Sequence, residues 1–131
     1  MKNLLIILCM LIPSSVMAAG WATVARKPHL LGARPSCGFG QPVLASFYHS
    51  GHVTASGERF HPDGISVAHR TLPFGTRVTF TNPRNGRSVS ATVNDRGPFG
   101  PAARIGVKFD LSRGAARAIG MHSSQWLCAS Y

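Results

Sequence analysis

Thr92-Val93-Asn94-Asp95-Arg96-Gly97-Pro98-Phe99-Gly100 closes a strand and breaks at once into a turn. Val89, Ala91 and Val93 alternate with Ser88, Ser90 and Thr92, the period-two pattern of a half-buried strand. Gly97 then admits backbone angles closed to other residues, and Pro98 fixes the exit. Asp95 therefore sits where rigid strand gives way to loop, steady at its backbone and open at its side chain. The chain holds 4 acidic residues against 14 Lys and Arg, so each carboxylate can be weighed singly. Asp95 leads as the candidate for chemistry; the plain alternative is a strand-ending Asp that caps a turn.

Working outward, residues 76–81 place Val78 and Phe80 on one face, and Asn82-Pro83-Arg84-Asn85-Gly86 is a hairpin turn. Residues 87–94 return as the partner strand. Upstream, residues 41–49 set Val43, Ala45 and Phe47 against Leu44, Ser46 and Tyr48. Residues 49–64 read as loop, and 66–69 as a brief strand stopped by Leu72-Pro73-Phe74-Gly75. Downstream, residues 104–111 form a strand with Ile105, Val107 and Phe109 in phase. Ser112 caps a short helix over 112–119 that ends at Gly120, and residues 125–131 supply a closing strand. Several short strands with one small helix predict a mainly β chain folded as a compact barrel.

Residues 1–19 read as a secretory signal, with Lys2 at its start, an apolar run over 4–12 and Val16-Met17-Ala18 before the cleavage site. The run is too short to span a bilayer, and Cys9 lies inside it, not at a lipoprotein anchor position. The expectation is a periplasmic or secreted protein with no stable membrane anchor after cleavage. Residues 20–40 then form an irregular arm, and 41–131 the folded domain.

Cleavage leaves Cys37 and Cys128. In an oxidising compartment they are expected to pair, two free thiols being the alternative. Closing a loop of about 90 residues would contribute about 4 kcal/mol by the chain-entropy argument. The net charge is +10, and +9 once Lys2 is lost, which favours anionic polymers and surfaces. No basic helix or aromatic-basic ladder points to nucleic acid. Histidines 29, 49, 52, 61 and 122 are too scattered for a metal cluster, though His49 and His52 form a weak pair. No metal and no cofactor is expected.

Several motifs in series resemble one family. They are Ala45-Ser46-Phe47-Tyr48, Thr54-Ala55-Ser56-Gly57-Glu58-Arg59-Phe60, Ala68-His69-Arg70-Thr71-Leu72-Pro73-Phe74-Gly75-Thr76, the hairpin around Asn85-Gly86-Arg87, Asn94-Asp95-Arg96-Gly97-Pro98-Phe99, and Asp110-Leu111-Ser112 with Ala115-Ala116. Over residues 45–121 the chain resembles the rare lipoprotein A family of double-psi β-barrel proteins. The resemblance implies a six-stranded barrel and the activity of septal-ring lytic transglycosylases, which cleave peptidoglycan strands lacking stem peptides. Related expansin barrels bind or loosen polysaccharide, so a non-catalytic wall-binding module is the alternative. Typical full-length members carry a lipoprotein cysteine and often a glycan-binding module; this chain shows neither, which leaves septal recruitment without support. A monomer acting on peptidoglycan glycan strands is expected.

The resemblance also assigns roles. Lytic cleavage needs a proton given to the leaving oxygen and later taken from the sugar's own O6, which one carboxyl group can do in turn. Asp95 matches the family's Asp in the Asp-Arg-Gly-Pro motif and is the expected acid/base. Glu58 matches a second carboxylate, as partner acid or charge stabiliser, against a solvated loop acid. His69 would orient Asp95 or hold substrate, against a buried histidine bonded to backbone. Arg96 would pair with Asp95, clamp sugar or lock its loop. Asp110 is by default a helix-start acid and in reserve a substrate residue. Tyr48, Phe60 and Phe99 would line the groove, while Phe47, Phe80 and Phe74 are expected to be buried. Asp63, between Pro62 and Gly64, reads as a turn residue.

Overall fold

The computed structural model describes residues 31–131; the expected leader and the first part of the arm lie outside them. Six strands follow in chain order, β1 (Gln41–Tyr48), β2 (Ser66–His69), β3 (Arg77–Thr81), β4 (Ser88–Asp95), β5 (Val107–Ser112) and β6 (Gln125–Ser130). Two short helices, α1 (Gly100–Arg104) and α2 (Arg113–Ala118), lie before and after β5. Hydrogen bonding closes the strands into a barrel in the order β1-β5-β2-β4-β3-β6. β1 runs parallel to β5 and β2 parallel to β4; the remaining pairs are antiparallel. Closure leaves no strand edge free to pair with another chain.

Period-two alternation fills the interior. Val43, Ala45, Val67, Val78, Phe80, Ala91, Val93, Phe109, Leu111, Leu127 and Ala129 are buried in one cluster, which Ala115, Ala116, Ile119 and Met121 join from α2 and the turn after it. Ser112 anchors that helix. Its Oγ accepts from Ala115 N and Ser66 N and donates to Gly64 O, so the cap also pins the entry to β2. Gly114 admits no side chain, because a Cβ there would run into the Asp63 carbonyl. Buried Asn82 ties the β3–β4 hairpin to the end of α2, donating to Ile119 O at 2.7 Å and accepting from Gln125 Nε2 at 3.0 Å.

Three expectations are corrected. The strand expected over 104–111 begins at Val107. Pro101 starts α1 just upstream, and Gly106, at φ 94°, breaks the chain between helix and strand, so Ile105 caps α1 and is exposed. That helix adds a second to the one expected. Phe74, expected to be buried, is 43% exposed; the Arg96 guanidinium lies 3.9 Å over its ring and covers one face.

Cys37 and Cys128 are bonded, with Cα atoms 5.7 Å apart and a sequence separation of 91. The bond fastens the arm to β6. Replacing both by Ser is expected to lower stability by about 2–4 kcal/mol. Urea unfolding without reductant, beside wild type with and without reductant, measures this; coincident wild-type and variant curves would show that the staple contributes nothing.

Candidate active site

Strict alternation would put Asp95 in phase with Val89, Ala91 and Val93, on the core face. One extra residue turns it outward. Val67 pairs with Val93 and the next residue, Ala68, with Asp95, so Asn94 is the unmatched residue of a β-bulge. Ala68 in turn pairs with Asp110, and Asp110 with Ser46. Four adjacent strands therefore carry Asp95, Ala68, Asp110 and Ser46 in one row on the outer wall. Small residues keep the wall thin between the two carboxyl groups, since a Cβ built on Gly97 would sit 3.9 Å from that of Ala68.

Asp95 is held from three directions. Its Oδ1 accepts from Ala55 N at 2.9 Å and Arg96 N at 2.8 Å, and its Oδ2 accepts from the Tyr48 hydroxyl at 2.9 Å. The Tyr48 ring stacks on Phe60 at 4.6 Å, 9° from parallel. Burial, and then the bond to Asp95, push the Tyr48 phenol well above its ordinary pKa, so it stays a donor. Phe60 is itself buried, so it supports Tyr48 and offers no face to a ligand. Asp110 Oδ1 accepts from Ser46 Oγ at 2.9 Å. Burial raises the Asp110 pKa above its ordinary value and the charge of Asp95 adds to the rise, while the Ser46 bond opposes it.

Arg96 does not pair with Asp95 through its side chain. Its Nη1 donates to Leu72 O at 2.8 Å and His69 O at 3.3 Å, which locks the turn after β2. Phe99, 65% exposed, stands three residues on.

Glu58 belongs to the loop that also supplies Ala55. Its Oε2 accepts from Asn94 Nδ2 at 3.2 Å, and it faces a recess of about 180 Å³ shared with Arg59, His61 and Ser66. The other end of that amide, Asn94 Oδ1, is buried without a partner among the described residues. His69 Nδ1 accepts from Thr71 N at 3.1 Å and Leu72 N at 3.0 Å, so in the neutral ring Nε2 carries the proton. Burial lowers the His69 pKa, and the charges of Arg70, Arg96 and Lys108 lower it further. The ring lies 4.6 Å from that of Phe109 and faces a different recess, at the end of the barrel.

The fold thus gathers Asp95, Tyr48, Asp110 and Ser46, with Glu58 and His69 as neighbours turned to separate recesses. The plain reading of Asp63 as a turn residue gains a partner set, for Arg113 and Arg117 bind its carboxylate. Ser46 escaped the sequence reading; its signal is its phase with Tyr48 on β1, which means something only once β5 is placed beside it. A larger recess, about 410 Å³, lies among Leu31, Leu44, Ile105 and Trp126, away from every carboxylate. Among the described residues no group of three His, Cys, Asp or Glu gathers to hold a metal.

This closed barrel, with its two parallel pairs and its bulge-presented Asp, is of the double-psi β-barrel class. Residues 41–127 match the family model described as lytic transglycolase, and the chain belongs to that family. It is similar to the probable endolytic peptidoglycan transglycosylase RlpA of Synechocystis sp., at 57% identity over 84 residues, covering 62% of this chain and 25% of the relative. The protein of the same name from Nostoc sp. is 55% identical over 86 residues, 62% of this chain and 22% of the relative. The endolytic peptidoglycan transglycosylase RlpA of Pasteurella multocida is 42% identical over 95 residues, 70% of this chain and 31% of the relative. The match thus spans less than a third of the length of each of these relatives.

The raised Asp110 pKa carries a stability consequence. Folding favours its protonated form, so the contribution is complete below the ordinary 3.8 and is lost as pH rises through the folded value. At pH 7 the ionised, half-buried group is a burden. Asp110→Asn is therefore expected to raise Tm at pH 7, with the gain vanishing at about pH 3. Paired melting curves at the two pH values check this, and a gain unchanged at low pH would assign it to packing.

Proposed function

We propose that this chain is an exported lytic transglycosylase domain that cleaves the bond between N-acetylmuramic acid and N-acetylglucosamine in peptidoglycan without hydrolysis. The observation that carries the reading is the row of Asp95 and Asp110 on the outer wall. Family membership and the names of the relatives supply the substrate class. A two-carboxyl row on a half-buried face suits a long polymer lying across it.

Asp95 gives its proton to the departing glycosidic oxygen and then takes one from O6 as that oxygen closes on C1. Its loop-borne donors and Tyr48 fix the carboxyl group while this happens. Asp110, one strand beyond Ala68, faces the positive charge that grows on the ring. Burial, and then the charge of Asp95, favour a proton on Asp110. His69, with Nδ1 committed to backbone, acts as an Nε2 donor toward substrate and not as a relay to Asp95. Glu58 steadies Asn94, and through it the bulge that aims Asp95. Phe99 offers an exposed ring on which a sugar can stack. Export rests on residues 1–19, on the disulfide and on a substrate that lies outside the cytoplasm. Among the described residues no helix is long and apolar enough to cross a membrane.

Asp95→Asn is nearly isosteric. Its Oδ1 still accepts from both backbone amides, and its Nδ2 donates to the Tyr48 oxygen. Release of anhydro-sugar products from purified sacculi should fall by about a hundredfold or more while melting temperature is held. Undiminished product release would remove Asp95 from the chemistry. No product from the unaltered protein would leave only a wall-binding role.

A further inference from the structure

Phe39 is 91% exposed, the most exposed large apolar side chain among the described residues. It is held in that position from both sides. Cys37 is bonded to Cys128 on β6. Gly40, at φ 74°, lies so close to the Ala129 carbonyl that a Cβ there would run into it. The turn is thus clamped to β6 while its ring stands out in water between Gly38 and Gly40, neither of which has a side chain to cover it.

The wall beside this turn is apolar as well. Leu44 points outward in phase with Ser46 and pairs with Trp126 of β6. Leu31 of the arm joins these two and Ile105 around the recess of about 410 Å³, and Ile105 is 55% exposed. Around this face the side-chain charge has one sign. Arg34 lines the recess with its guanidinium 6.0 Å from the Trp126 ring, and Arg84 borders an adjoining recess that shares that tryptophan. Arg104 precedes Ile105. Lys108 is the unmatched residue of a second bulge, since Leu44 pairs with Val107 and the next residue, Ala45, with Phe109. All four cations are exposed, and none forms an ion pair among the described residues.

The 4 side-chain acids are engaged elsewhere, Glu58 by Asn94, Asp63 by Arg113 and Arg117, Asp95 by Tyr48 and Asp110 by Ser46. The terminal carboxylate of Tyr131, whose hydroxyl bonds Gln41, is one negative charge against these cations. An apolar face inside a cationic rim fits an occupant that is both apolar and negative. A second copy would set Arg34, Arg84 and Arg104 against their own kind. Residues 20–30 of the same chain carry Arg26 and Lys27 and no acid, so they fit no better. A bilayer with acidic headgroups meets both requirements, taking rings and aliphatic side chains at the acyl boundary and cations at its phosphates.

We propose that this face, led by Phe39, docks the domain on an anionic lipid surface. Ser46, the β1 member of the acid row, follows Gln41 by five residues, about 17 Å along the strand. That exceeds the depth of about 5–10 Å to which interfacial side chains reach, so docking by Phe39 leaves the row open to the wall. The proposal stands apart from the lytic reading.

Cosedimentation with lipid vesicles tests it, on protein purified after export. Phosphatidylglycerol vesicles should bind the protein, and phosphatidylcholine vesicles should leave it in solution. Phe39→Ser should weaken binding about tenfold, as part of the burial of a Phe side chain is lost. Arg34→Gln should weaken it about fivefold, and Arg34→Lys should restore it. Ile65→Ser, an exposed apolar residue of another face, should change nothing. Every variant keeps the same N-terminal segment, so differences among them report on this face. Absence of binding to the anionic vesicles would overturn the proposal. So would binding that high salt abolishes but Phe39→Ser leaves intact, which would reduce the effect to general charge. Loss of sacculus binding by Phe39→Ser with vesicle binding unchanged would give the face to wall glycan, and dimers lost in Phe39→Ser would give it to a second copy; either overturns the lipid assignment. Release of anhydro-sugars from purified sacculi should be equal in Phe39→Ser and wild type. Docking without release by either protein would sink the lytic reading and leave this face; release without docking does the reverse.

Discussion

Asn94 is the residue on which the outer wall depends. A strand built from Val89, Ala91 and Val93 must carry the next alternate side chain into the core, where a carboxylate among valines would be costly. Inserting Asn94 without a partner shifts the phase by one, and Asp95 emerges level with Ala68 and Asp110. The same insertion is what Glu58 holds, through the Asn94 amide. The loop over 53–60 therefore touches the bulge three times, by Glu58 on the Asn94 amide, by Ser56 N on the Asn94 carbonyl and by Ala55 N on Asp95. Rigidity in the loop and aim of the acid are one property.

Much of this was readable in the chain, and the losses have definite causes. The six strands follow from alternation bounded by Gly, Pro and Asn, and Ser112 announces the helix it caps. Ile105 misled because its phase with Val107 and Phe109 holds by coincidence across Gly106, whose backbone angle separates helix from strand. Phe74 misled because an aromatic can be covered by a cation as well as by a core. The bulges at Asn94 and Lys108 left no mark in the sequence, being differences of register between two strands and not properties of either. Family motifs named Asp95, Glu58 and His69 together, yet they carry no direction. Only the fold reveals that the three side chains face different ways.

The tyrosine at the end of β1 shows how a site residue is built from parts with no chemistry of their own. Phe60 lies flat against it and is buried, so the ring cannot turn away. Its proton is kept by burial and by the acid it faces. On the other side, Arg96 commits its guanidinium to two carbonyls and a phenyl ring, and so lends Asp95 a backbone amide without an opposing charge at close range. In so basic a chain, keeping guanidinium groups off the acid matters as much as placing donors on it.

Two of only 4 acids are nevertheless set in one row. Neighbouring carboxyl groups repel, and Asp110 has its pKa raised chiefly by burial and further by the charge of Asp95. The fold accepts this burden at a point where the strands are fixed from within by Phe109 and Leu111, both buried, and where β1 and β2 hold β5 from either side. A less confined strand could relax by moving Asp110 outward into water, which would relieve the repulsion and disperse the pair. The barrel prevents that escape because its interior is filled on the opposite face of the same residues. Tight packing inside is thus the condition for an uneasy arrangement outside, and the closed sheet transmits one to the other through a single layer of backbone.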